Sequence, residues 1–148
     1  MRLLGTNSKR KSGQATLELA LVVPFFFVML FALFEFGRGL VEYTSMSNAA
    51  REGARIGIVP SKTVTDITNA TRNATITVGT LPAVTVTAFR SGTALADPMT
   101  RTSGDTVQVQ VTHTFVPIFF VAHGYIPDVI GGLGVSIPMG STAKMRVE

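Results

Sequence analysis

Side chains able to do acid–base or metal chemistry are few in this sequence and stand apart from one another. His113 and His123 are the only histidines. They fall in separate segments without the spacing of a zinc pair. His113, between Thr112 and Thr114 on an alternating run, reads as a surface strand residue. There is no cysteine, which excludes thiolate metal sites, disulfides, thiol nucleophiles and a lipid anchor on an N-terminal Cys. Asp66, Asp97, Asp105 and Asp128 are scattered singly. Gly131-Gly132-Leu133-Gly134 lacks the Lys-Ser/Thr that completes a phosphate loop, and reads as a turn. The expectation is a protein with no catalytic residues, no cofactor, no metal and no small-molecule substrate. One ionisable group has an unusual setting. Glu18 lies at the fringe of an apolar run, with Ala15, Leu21 and Val22 at i−3, i+3 and i+4, so no cation of its own helix lies one turn away. A carboxylate at the centre of a bilayer costs about 2.5–3.5 kcal/mol on insertion scales, and less near the interface. Water or a positive group must satisfy it.

The element that positions Glu18 is the apolar run itself. Leu19 to Phe34 is 16 residues without a charge. Adding Ala15–Leu17 and Phe36–Val41 reaches the roughly 20 residues of a spanning helix, and admits Glu18, Glu35 and Arg38. Glu35 and Arg38 are three apart and can pair on one helix face. Phe25, Phe26 and Phe27 are consecutive, so the segment is apolar all round, unlike the one-sided helix of a soluble domain. A chain of 148 residues could hardly bury such a helix on every side. Pro24 is compatible with a membrane helix. The totals agree: hydrophobic residues are 46%, mean hydropathy is +0.37, and charged residues are 15%, against about 25% in ordinary domains.

The net charge of +4 does not describe a nucleic-acid surface. Arg2, Lys9, Arg10 and Lys11 precede residue 13 without an acid among them. Without these four the remaining nine basic residues balance nine acidic ones, so no basic face is left for a folded domain. The positive-inside rule places residues 1–13 in the cytoplasm and the C-terminal part outside. An ordinary secretory signal would be cut after the apolar run at a small-x-small site. Glu35-Phe36-Gly37-Arg38 does not supply one, and Ser47-Asn48-Ala49 lies far downstream.

Helical spacing continues past the run. Phe36, Leu40, Tyr43, Ser47, Ala50, Ala54 and Gly57 recur at intervals of four and three. Gly53 and Gly57 form a G-x-x-x-G pair, with Ala49, Ala50 and Ala54 extending a small surface that admits a partner backbone. Pro60 predicts an end near Gly57–Val59. Ala15 to Val59 would then measure about 65 Å at 1.5 Å per residue.

Lys11-Ser12-Gly13-Gln14-Ala15-Thr16-Leu17-Glu18 resembles the processing site of type IV prepilins. The resemblance implies cleavage between Gly13 and Gln14 by a prepilin peptidase, with Glu18 as the glutamate at position five of the product. The new amine at Gln14 would lie beside the partly positive helix start. Glu18 could meet that amine or a neighbouring subunit's, and the resemblance implies the neighbour. Glu35-Phe36-Gly37-Arg38 with Asn48-Ala49-Ala50-Arg51-Glu52-Gly53-Ala54-Arg55 then resembles the TadE-like family, minor pilins or pseudopilins of the tight-adherence (Tad, Flp) pilus machinery. The likeness runs from Gly13 to Val59 and returns in Ser141-Thr142-Ala143-Lys144-Met145-Arg146. It implies a bacterial inner-membrane protein acting in assembly of a Tad (Flp, type IVc) pilus, with other pilin-like subunits and the Tad assembly platform as partners. Major Tad pilins are much shorter and usually carry tyrosine after the glutamate, where this chain has Leu19. The alternative is an uncleaved, single-pass anchored module that binds a ligand or the cell wall outside.

The rest reads as a small exported domain. Val64, Ile67, Thr71 and Ala74 predict a short second helix. Val84–Phe89 and Val107–Thr112 alternate and predict strands, separated by a turn-rich loop from Arg90 to Gly104. Phe115 to Ile130, broken by Pro117, Gly124 and Pro127, reads as a core segment, the alternative being a loop that touches the bilayer or a partner. The last strand is expected over Gly134–Pro138 and Ser141–Val147, interrupted at Pro138-Met139-Gly140. The expected fold class is α+β: a leader over 1–13, a transmembrane helix over 14–41, its extension outside the membrane over 42–60, and over 61–148 a domain with a short second helix and an antiparallel sheet packed on that extension.

Overall fold

The computed structural model describes residues 8–77, 80–117 and 136–148, with side chains from Gly13 onward. Two helices come first, α1 (Ser8–Gly57) and α2 (Val64–Asn73). Strands β1 (Ala83–Arg90) and β2 (Thr93–Ala94), a 3-10 turn at Pro98–Thr100, and strands β3 (Thr106–Phe115) and β4 (Ile137–Arg146) follow. The chain divides into two compact units, one ending at Phe36 and one running from Gly37 to Glu148.

In the first unit α1 is apolar on every side. Leu17, Leu21, Phe25, Met29, Leu33 and Phe34 are all exposed. An 18-residue window of α1 has a mean hydropathy of 2.6 and no buried residue, so the helix is long and apolar enough to cross a membrane. Pro24 lies inside it without ending it.

Among the described residues, the second unit is a four-stranded antiparallel sheet in the order β2-β1-β3-β4, with α2 and the C-terminal part of α1 on its apolar face. The alternation of β3 does the sorting. Val107, Val109, Val111, His113 and Phe115 are buried, while Gln110, Thr112 and Thr114 are exposed. Ala88, Val86 and Val84 of β1 lie opposite Val107, Val109 and Val111. Met145 and Ala143 of β4 flank Val107 and Val109 from the other side. Met46, Ala50 and Ala54 of α1 and Ile67 of α2 complete the core.

α1 and β3 run in opposite directions with matched lengths. Gly39 lies against the Phe115 ring, Glu42 faces His113, and Gly57 abuts Val107. The 18 residues from Gly39 to Gly57 rise about 27 Å at 1.5 Å each. The eight from Phe115 back to Val107 span about 27 Å at roughly 3.4 Å each.

Three expectations change. The buried side of α1 is Glu42, Ser45, Met46, Ala49, Ala50, Gly53, Ala54 and Gly57, whereas Phe36, Leu40 and Tyr43 are exposed. The stripe read from hydrophobicity therefore holds only in its small outer half. The polar Glu42 takes an inward position because β3 supplies a polar partner there. β4 is unbroken from Ile137 to Arg146. Among the described strands it lies at the edge of the sheet, where a proline such as Pro138 is tolerated. The loop from Arg90 to Gly104 contains β2, which turns back on β1 through Ser91 and Gly92, both at positive φ. The apolar run beyond Pro117, with His123, Asp128 and the glycines at 131–134, lies outside the described residues.

α2 owes its start to a reciprocal cap. The Thr63 hydroxyl accepts from the Asp66 amide, and the Asp66 carboxylate accepts from the Thr63 amide. This offsets the modest helix propensity of a threonine-rich segment.

Candidate functional site

The residues singled out at the N-terminal end lie on one exposed stretch of helix. Gly13 is exposed, and a Cβ built on it would meet nothing within 4 Å. The fold of this chain therefore imposes no need for glycine there. Gln14 and Glu18 are one turn apart on the same face, and the Gln14 side-chain amide donates to Glu18 Oε1 over 3.4 Å. The hydrogen bond is long and lies at the surface, which leaves the carboxylate open to a stronger donor. If the chain were cut after Gly13, the new amine would sit at this same i, i+4 spacing.

The small residues of α1 occupy a different environment. Ala50 and Ala54 are fully buried. A Cβ on Gly53 would collide with the Thr71 hydroxyl and come within 3.1 Å of Val109 Cγ1. A Cβ on Gly57 would come within 2.8 Å of Val107 Cγ1. The partner that approaches these glycines is the chain's own β3 and α2. Thr71 in turn settles its hydroxyl on the Ile67 carbonyl at 2.7 Å.

A buried polar cluster links α1 to β3. Arg38 donates to Glu42 Oε1 at 2.8 Å and to the Val116 carbonyl at 2.7 Å, and stacks over the Phe115 ring at 4.1 Å. Glu42 Oε2 faces His113 Nε2 at 3.6 Å, and neither atom has a hydrogen-bond partner. His113 is thus a core residue and not the surface residue its neighbours suggested. The signal was present in the strand's parity, since position 113 shares the inward phase of Val107, Val109 and Val111.

Two further polar devices hold the far end of the unit. Arg101 donates to the Val59, Lys62 and Pro98 carbonyls at 2.8, 2.7 and 3.0 Å. It thereby satisfies carbonyls just beyond the end of α1, where positive charge is favoured, although burial pulls its pKa below the ordinary arginine value. Asp105 accepts from Arg90 at 2.8 Å and from the Thr102 amide at 2.7 Å. The Arg90 guanidinium, then the Thr102 amide, hold its carboxyl far below the usual carboxylate range. Among the described residues, no group of three His, Cys, Asp or Glu side chains is placed to hold a metal ion.

The arrangement therefore offers a membrane-length apolar helix, an exposed glycine and glutamate near its start, and a domain that includes its C-terminal part. The family model described as "TadE-like protein" matches residues 13–55. That match begins at Gly13 and ends within the small-residue face of α1. No curated protein and no solved structure matches the chain.

Proposed function

We propose, with the TadE-like character of residues 13–55 as premise, that this protein is a membrane-anchored minor pilin or pseudopilin acting in assembly of a Tad (Flp) pilus. A prepilin peptidase removes residues 1–13. α1 stays in the bacterial inner membrane as a single span, and the unit that follows lies outside the cytoplasm. Glu18 then meets the amine of a neighbouring pilin-like subunit, and the Tad assembly platform is the other partner. The protein performs no catalysis of its own.

The observation that carries this reading is the order of the parts: a basic start, Gly13, Glu18, then a helix apolar on every side. A peptidase working at the cytoplasmic face needs an accessible bond, and Gly13 is exposed. Intact mass of the membrane-extracted protein should show a chain beginning at Gln14, and Gly13→Leu should keep the leader. Recovery of the wild type with residues 1–13 attached would instead favour the uncleaved anchored binding module.

A further inference from the structure

The second unit sorts its surface by polarity along α1. Its end near Gly37 is ringed by exposed apolar side chains. Leu40 and Tyr43 are each 49% exposed on the helix. Ile76 stands at the level of Ser45, whose Oγ accepts from the Ile76 amide at 2.6 Å. Val116 stands at the level of Arg38, which holds its carbonyl. Ile137 pairs with Phe115, and Leu81 lies beside Thr114 and Pro138 in an open groove. Ile76 and Leu81 are 66% and 75% exposed.

Charge follows the opposite distribution. At this end, the described charged side chains of the unit are Arg38, Glu42 and His113, which are turned inward on one another, and Glu35, just before Gly37 on α1, is itself buried. The exposed ones begin at the level of Ala50. Arg51 and Arg55 are on α1, and Arg72 follows Thr71, which abuts Gly53. Lys144 and Arg146 stand opposite Gln108 and Thr106. A soluble surface mixes charge with apolar atoms and rarely carries an apolar rim free of it.

We propose that the Gly37 end of this unit is seated in the headgroup–acyl boundary of the membrane, so that lipid covers the rim. This rests on the reading of α1 as a membrane anchor. The chain enters the unit at Gly37 directly from the apolar stretch, so the rim is the part that a bilayer around that stretch would reach. The levels of Arg38 and Ser45 are about 10 Å apart along the helix, comparable to the roughly 5–10 Å immersion of interfacial apolar faces. Tyr43 has the amphipathic ring that collects at such boundaries. The inward pairing of Arg38 with Glu42 keeps these charged groups out of the lipid.

The chain has no cysteine, so single-site nitroxide labelling needs no background substitution. Ile76→Cys and Leu81→Cys, with Phe27→Cys as the reference for the span and Lys144→Cys as the reference for water, would be labelled in the full-length protein in lipid vesicles. Collision with oxygen and with a water-soluble nickel chelate would then be compared. At positions 76 and 81 we expect loss of chelate broadening with oxygen broadening retained. If both collide with chelate as position 144 does while position 27 is shielded, the rim lies in water and the proposal fails, although the anchor stands. If both are shielded from oxygen as well as chelate, protein covers the rim and the lipid assignment is overturned. If position 27 itself collides freely with chelate, the anchor reading and this one fall together.

Discussion

Residues 13–36 and 37–57 belong to one helix yet are built for different surroundings. The first stretch carries large apolar side chains in every direction and buries almost none of them. The second carries alanines and glycines on one side and buries them, the alanines to 0% exposure, against the sheet and α2. In the first, side-chain volume is the useful property, because lipid accommodates any shape. In the second, the absence of volume is useful, because a neighbouring strand must approach the helix backbone. Two carboxylates show the same contrast. Glu18 in the first stretch is exposed, whereas Glu42 in the second is 2% exposed and paired; Glu35, at the boundary between the stretches, is already buried.

The contrast is tested most severely at Glu42. Glu42→Ala removes the carboxylate that accepts from Arg38 and faces His113, and breaking a buried ion pair costs about 3–5 kcal/mol. We expect a large fall in the thermal midpoint of the second unit, followed in detergent by loss of its sheet signal in circular dichroism. Glu52→Ala removes the exposed partner of Arg55 and should leave the midpoint unchanged. Equal losses in the two variants would show that burial does not distinguish these carboxylates.

Glycine gives the next effect. Gly57→Leu forces a side chain into the space of Val107, and overpacking a fitted core costs about 1–3 kcal/mol. Gly37 has nothing within 4 Å of a built Cβ, so Gly37→Ala should be neutral or stabilise by at most about 1 kcal/mol, through helix propensity. A chemical denaturation midpoint for each would decide it. Removing the α2 cap is smaller again: Thr63→Ala should cost about 1 kcal/mol.

Acid should loosen the far end of the unit. The folded pKa of Asp105 is depressed by Arg90 and the Thr102 amide. Its contribution is therefore complete above the unfolded value of about 3.9 and disappears as pH falls toward the folded one. The stability difference between wild type and Asp105→Asn should be constant from neutral pH to about pH 4 and shrink below it. A difference that instead shrinks between pH 7 and 5 would assign the effect to another group.

What could be read from the sequence followed from periodicity. β1, β3 and α2 stand where the period-two and helical spacings put them, because those patterns record which face is buried. The helix end at Gly57 was legible from glycine and Pro60. Contacts between residues distant in the chain were not. Glu42 and His113 are 71 positions apart, so hydrophobicity alone turned Phe36 and Tyr43 inward and His113 outward. Arg101 was invisible for the same reason, since its acceptors at Val59 and Lys62 are carbonyls that no residue type reports. At the N-terminal end the situation is reversed. Gly13 and Glu18 were conspicuous in the sequence, and the fold gives them almost no contacts, which is expected if their partners are other molecules.

Glu18 provides the last test, where the expected change in stability is nil. Its carboxylate has one long contact, to the Gln14 amide at 3.4 Å, and it lies in the unit that ends at Phe36. Glu18→Gln keeps the shape and removes the charge. It should leave the unfolding midpoint of the second unit, membrane insertion and the cut after Gly13 as in the wild type, because the core, the apolar stretch and the glycine are untouched. Its effect should fall on assembly alone, as fewer pili and weaker co-purification with other pilin-like subunits, because an amide cannot form an ion pair with a neighbour's amine. Glu18→Asp keeps the charge on a shorter arm and should recover part of the assembly. Normal pili in Glu18→Gln cells would leave this glutamate as an interfacial residue satisfied by water. The contrast between an outward-serving and an inward-serving carboxylate on α1 would then rest on burial alone.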